Sequence, residues 1–338
     1  VVAIAGGEMT IERMTSSITQ RIGFHLTAIA AVVTVGLWIW PTLAGDVFRT
    51  RNARPIGDRT QAAFESVFKE GNYPAAANYL RAAESLEENE PLAYAMLASF
   101  SYLNSDWKGL KSYATKTMAA AKELSKDDPL RSKLYTGVGH FLDGVYIFQQ
   151  EGSIAAIPKL QQVFQYLDEA EQIAPDDPEL NLLKGYMDLM LAVNLPFSDP
   201  NQAIDRLENY AAPNYLADRG IALGYRDLKQ HDKALTYVNR ALKEAPNHPE
   251  LYYLKAQIEV GLGKQRKDSS LLSEAQQNFQ LALNKSDRLP KGLVAQIFYE
   301  QCQNKNRLEK ENLDCRSLQN SIKKEPGMWG AEKLPSLE

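Results

Sequence analysis

Cysteine and histidine are scarce in this chain of 338 residues, which has two of the first, Cys302 and Cys315, and four of the second. No Cys-x-x-Cys spacing occurs, and His25, His140, His231 and His248 are scattered, so no metal site is expected. Charge of one sign is lacking too: 38 basic residues face 42 acidic ones. Without a basic excess to neutralise phosphates, no nucleic-acid partner is expected. Strand-type alternation is almost absent, so no Gly-rich phosphate loop can follow a strand. Pairs such as Asp127-Asp128 and Asp176-Asp177 fall at turns and helix starts, where they complement the helix dipole instead of doing acid–base work. The reading is of a non-enzyme without a cofactor. A catalytic alternative would need a pocket around His140 and Asp143.

One long apolar run is present. Residues 22–40 read IGFHLTAIAAVVTVGLWIW and contain no Asp, Glu, Lys or Arg. Arg21 precedes the run, Pro41 ends it, and Thr42-Leu43-Ala44 offers small residues at the positions a signal peptidase reads. Residues 1–44 therefore read as a signal peptide or a membrane anchor. Export or tethering to a membrane through residues 22–40 is the first expectation, with a periplasmic location. Trp38 and Trp40 suit a membrane interface, and Arg49, Arg51, Arg54 and Arg59 follow the run. The positive-inside bias keeps open a second topology, an anchored chain with the rest in the cytoplasm.

The remainder is punctuated at intervals. Pro91, Pro129, Pro178, Pro213, Pro249 and Pro290 are 38, 49, 35, 36 and 41 residues apart. Asp177-Pro178-Glu179-Leu180 is echoed by His248-Pro249-Glu250-Leu251. Between such turns, apolar residues recur at steps of three and four, as at Ala234, Val238, Ala241 and Leu242, which puts them on one helix face. Proline opens a helix where its missing N–H is not needed. A period of this size with helices on both sides marks a repeat array.

Ala222, Tyr225, Ala234, Val238, Ala241 and Pro246 stand at the spacing of the tetratricopeptide (TPR) pattern, a helix–turn–helix unit of about 34 residues. Gly185, Ala203 and Leu207 continue it on one side, and Ala256, Ala275, Phe279 and Ala282 on the other. Gly71, Tyr73, Ala76, Leu80 and Ala83 supply a further second half. The chain thus resembles the TPR superfamily, and its overall character is similar to a cyanobacterial group of exported TPR proteins of undefined function. The resemblance implies an all-α, TPR-type α-solenoid of about six helix pairs with a C-terminal capping helix. The pairs fall near 59–87, 91–126, 129–174, 178–211, 214–245 and 249–286, and the cap near 291–308. In that cap Leu293, Ile297 and Phe298 are expected inside and Lys291, Glu300 and Gln301 in water. Residues 45–58 read as a linker and 309–338 as a mobile tail. Residues 193–199 and 264–270 read as insertions.

The resemblance also implies that the first helix of each pair lines a concave side. By its register that side holds His140, Tyr186, Leu189, Met190, Arg219, Leu223, Arg226, Tyr253 and Gln257. The expected function is a scaffold that binds a protein or peptide partner in this groove, in assembly or maintenance of a membrane complex. The alternative is an architectural or oligomerising spacer. The Lys/Asn clamp by which some TPR domains grip chaperone C-termini is not matched, since Arg219, Leu223, Tyr253 and Gln257 stand there. Cys302 and Cys315 read either as unrelated thiols or as one disulfide, the latter suited to an oxidising compartment.

Overall fold

A computed structural model describes residues 45–194 and 200–337. The segment read as a signal or anchor, residues 1–44, and most of the Val193–Asp199 loop lie outside the described residues. Six antiparallel helix pairs follow in order: α1 (Asp58–Phe68) with α2 (Tyr73–Leu86), α3 (Pro91–Leu103) with α4 (Trp107–Glu123), and α5 (Pro129–Glu151) with α6 (Ser153–Ile173). Then come α7 (Pro178–Asn194) with α8 (Pro200–Tyr210), α9 (Asn214–Asp227) with α10 (His231–Glu244), and α11 (Pro249–Arg266) with α12 (Ser269–Leu283). Helices α13 (Lys291–Glu309) and α14 (Cys315–Lys324) close the array. Among the described residues no helix is long and apolar enough to cross a membrane.

The inter-repeat turns explain their own sequence. Pro91, Pro129, Pro178 and Pro249 each begin a helix. The residue before each proline accepts a hydrogen bond from a backbone N–H of the first turn: Glu90 from Leu92, Asp128 from Arg131, Asp177 from Leu180, and His248 from Glu250, at 3.0 to 3.3 Å. Such a cap contributes about 1 kcal/mol by satisfying a donor that the helix leaves unpaired. The small residues of the repeat lie where helices meet. Ala76, Leu80, Ala83, Ala234, Ala241, Ala275 and Ala282 are fully buried. Truncating Leu80 to Ala would cost about 2–5 kcal/mol. Gly139 is required by proximity, because a Cβ there would meet Met118 Cγ at 2.3 Å.

The first helices form one layer, with α3 against α5, α7 against α9, and α9 against α11. That layer coils far enough for the start of the array to meet its later part. Gly71, at φ +64°, lies where a Cβ would be 2.5 Å from Pro249, and the Tyr73 hydroxyl donates to Glu250 at 2.8 Å. His248 is fully buried for this reason.

Several elements differ from the sequence-based expectations. Residues 264–270 are not an inserted loop: the extra length extends α11 and α12, and only Lys267 and Asp268 separate them. Residues 45–58 do not hang free as a linker but run as a strap along the starts of the first helices, burying Phe48, Arg49 and Ile56. The tail beyond 309 takes a defined course. Cys302 and Cys315 are joined by a disulfide, α14 packs on α13, and Trp329 reaches back to Tyr73 and Phe100 with ring centroids 6.5 and 6.4 Å away. This packing buries Lys291 and Gln301, which had been expected in water, while Leu293, Ile297 and Phe298 are inside.

Candidate partner-binding groove

The inner layer has a closed half and an open half. In the closed half, Phe48 of the strap lies among Phe64, Leu92, Met96, Tyr135 and Leu182, from α1, α3, α5 and α7, around a residual void of about 30 Å³. Arg49 anchors the strap. Its Nε donates to Asp177 at 2.7 Å, and its Nη2 to Asp177 at 2.8 Å and Glu179 at 2.9 Å, with side chains 0 to 6 % exposed. Burial opposes the guanidinium charge, but Glu179 and Asp177 outweigh it and hold its pKa above the usual arginine value. Glu179 also accepts from the Tyr135 hydroxyl and faces Arg131, whose Nη2 reaches Glu90 at 2.7 Å. Arg54 pairs with Asp128. The acidic helix starts thus serve twice, as caps and as seats for the strap's arginines.

The groove residues expected from the repeat register divide accordingly. On α5, His140 stacks on Tyr166 of α6 at 5.3 Å, and burial lowers its pKa, reinforced by Lys159 and opposed by Asp143. Asp143 itself is buried and pairs with Lys111 and with Lys159, so this region is a helix–helix contact. On α7, the Tyr186 hydroxyl donates to the Leu216 carbonyl at 2.7 Å, and Leu189 packs on Gly224. The side chain of Met190 lies outside the described residues. Arg219 of α9 pairs with Glu250 at 2.7 Å, sharing it with Tyr73, and Leu223 is half-buried against the core. These side chains seal the inner layer.

Arg226, Tyr253 and Gln257 lie at the open half. The Arg226 Nη1 donates to Gln257 at 2.6 Å and its Nε to Asp227 at 2.8 Å. Gln257 and the Tyr253 hydroxyl both donate to Glu300 of α13, at 3.0 and 2.8 Å. Together with Lys264, Tyr299, Gln303 and Arg307, residues Arg226, Gln257 and Glu300 border a cavity of about 300 Å³. The α13 contributions were not reachable from the repeat register, because the capping helix does not carry the repeat pattern. Glu300 in particular was expected to face water. Its signal was present only as a charged side chain at helical spacing from Arg307 and Gln303.

No family model and no curated protein sequence matches the chain. Among solved structures, a human IFIT1 dimer with m7Gppp-AAAA is similar, with a TM-score of 0.41 and 17% identity over 77% of this chain and 60% of that one. A human IFIT1 dimer with PPP-AAAA gives 0.39 and 18%, over 74% and 57%. A monomeric IFIT1 mutant with Gppp-AAAA gives 0.40 and 16%, over 78% and 71%. The chain therefore spans about three fifths of the length of the first of these. The helical-repeat architecture of the chain rests on its own six helix pairs. One expectation is corrected: the printed descriptions of these IFIT1 structures name m7Gppp-AAAA, PPP-AAAA and Gppp-AAAA, against the expectation of no nucleic-acid partner.

Proposed function

We propose that the chain is a binding scaffold that takes a protein partner in the open half of its groove, bordered by α9, α11 and α13. The observation that carries this is the contrast between the two halves. Where α1 to α7 face inward, the chain's own strap and Trp329 fill the space, whereas the cavity at Arg226, Gln257 and Gln303 holds about 300 Å³. Partner segments that are already extended lose less freedom on entering such a preformed groove. The cavity lies between packed helices and is edged by polar side chains that can fix a partner's orientation. The Cys302–Cys315 disulfide supports a location in an oxidising compartment, in keeping with export or tethering. The ion pairs of Arg49 and Arg54 give those two arginines a structural use apart from membrane topology.

The test is a filled cavity. Gln303→Trp puts an indole into the space, while Lys243→Trp places the same group on the exposed face of α10. Capture of the native partner should fall at least tenfold with the first and stay unchanged with the second, both proteins melting like the parent. Equal capture by both variants would contradict the proposal.

A further inference from the structure

We infer that the cavity between α9, α11 and α13 is a receptor for an acidic peptide segment, whose carboxylates would sit between Lys264 and Arg307. The inference deepens the partner-binding reading and rests on it. Three cations, Arg226, Lys264 and Arg307, border the cavity, against one carboxylate, Glu300. That carboxylate is already occupied by neutral donors: Tyr253 at 2.8 Å, Gln296 at 2.9 Å and Gln257 at 3.0 Å. Arg226 has Asp227 as its own partner at 2.7 Å. Lys264 and Arg307 have no carboxylate within ion-pair distance among the described residues. They approach from the last turns of α11 and α13, where the helix dipole favours a cation. Their proximity is still unfavourable: burial lowers the Lys264 pKa and Arg307 lowers it further, with Glu300 opposing. An oxyanion placed between them relieves that repulsion, and charge-assisted bonds to Lys and Arg are the stronger kind.

The aromatic side chains favour a peptide over an oligonucleotide. Sequence-tolerant capture of a nucleic-acid strand uses open ring faces for base stacking. Here Arg316 lies over the Tyr299 ring at 4.9 Å, and Phe279 packs against Tyr253 at 6.2 Å. A volume of about 300 Å³ suits a pair of carboxylate side chains.

The experiment is fluorescence anisotropy of a labelled hexaglutamate peptide with the full chain at low salt, with hexaglutamine and PPP-AAAA as parallel probes. Hexaglutamate should bind and hexaglutamine should not. Lys264→Gln and Arg307→Gln should each weaken hexaglutamate about tenfold or more, from the loss of one charge-assisted bond. Lys243→Gln, on the outer face, should leave binding unchanged. Both cavity cations are exposed, so the variants should melt as the parent does. Hexaglutamate binding that is absent, or indifferent to both substitutions, would overturn the inference. So would binding of PPP-AAAA that depends on Lys264 and Arg307 while hexaglutamate fails. Loss of native-partner capture in Gln303→Trp together with no hexaglutamate binding would keep the groove reading and discard the acidic ligand.

Discussion

Replacing Arg49 by Met should release the strap, and the structure sets the size of the effect. Arg49 is the only cation within hydrogen-bond distance of Asp177, among the described residues, and it shares Glu179 with Arg131. Removing one partner of a buried pair costs about 3–5 kcal/mol, because the remaining charge is left uncompensated. Here the lower end applies. Asp177 keeps the Leu180 N–H at 3.0 Å, and Glu179 keeps Arg131 at 3.5 Å and the Tyr135 hydroxyl. A loss of about 3 kcal/mol corresponds to roughly a hundredfold in an opening equilibrium. Repeat arrays open locally, so a single melting temperature would blur the effect. Hydrogen exchange reads it directly. The Arg54 amide, bonded to Asp46 at 2.8 Å, and the Asn181 amide at the start of α7 should exchange about a hundredfold faster in Arg49→Met. Adding Asp177→Asn and Glu179→Gln to that variant removes two of the three carboxylate charges that Arg49 held, Asp46 at 3.0 Å being the third, and should restore part of the loss. Rates within threefold of the parent at both amides would refute the view that the buried ion network seats the strap.

Other consequences follow from particular groups. Burial raises the Glu259 pKa to about 7, with Asn278 and Lys255 opposing, so the folded state holds a proton that the unfolded chain releases near 4.5. Stability should therefore fall as pH rises from about 4.5 to about 7, and Glu259→Gln should stabilise the chain at pH 8 by about 1–3 kcal/mol with little effect at pH 4, checked by denaturant titration at both. Burial lowers the His248 pKa to about 3, so stability should drop as pH falls from about 6.5 towards 3, and His248→Asn should flatten that slope. Reduction of Cys302–Cys315, which closes a 13-residue separation, should cost about 2–3 kcal/mol locally and red-shift Trp329 fluorescence as α14 loosens. Arg219→Ala should lower stability by about 3 kcal/mol or more in a thermal melt, since it strands Glu250 beside Tyr73, and partner capture in that variant reports folding as well as binding.

The helix pairs were legible because two local rules coincide at each boundary. A proline preceded by a capping side chain opens the helices at 91, 129, 178 and 249, and alanines at three- and four-residue steps mark the buried faces. Arg226 and Gln257 were legible for the same reason, since the repeat register carries them to the inner layer. What was not legible depends on how far the array coils. Tyr73 and Glu250 are 177 positions apart, and only the winding of intervening pairs brings them together. The strap was read as a linker because its arginines have no partner nearby in sequence. Arg49 and Glu179 are 130 positions apart. Arg219 looked like an anchor for a partner because Arg at an inner position is chemically ambiguous: it serves a ligand or a neighbouring carboxylate equally well. Lys264 and Arg307 were not read as site residues and Glu300 was placed in water, since the three meet only where the last repeat joins a helix without the repeat pattern.

Entry of a partner into the open half of the groove, at α9, α11 and α13, can be read by site-specific photo-crosslinking in the native cell, with the reactive group placed in turn at Gln303 in the cavity, Lys243 on the outer face and Ile154 at the exposed tip of α6. A defined protein adduct is expected from Gln303 and none from Lys243 or Ile154. An adduct from Ile154 or Lys243 with none from Gln303 would contradict entry there.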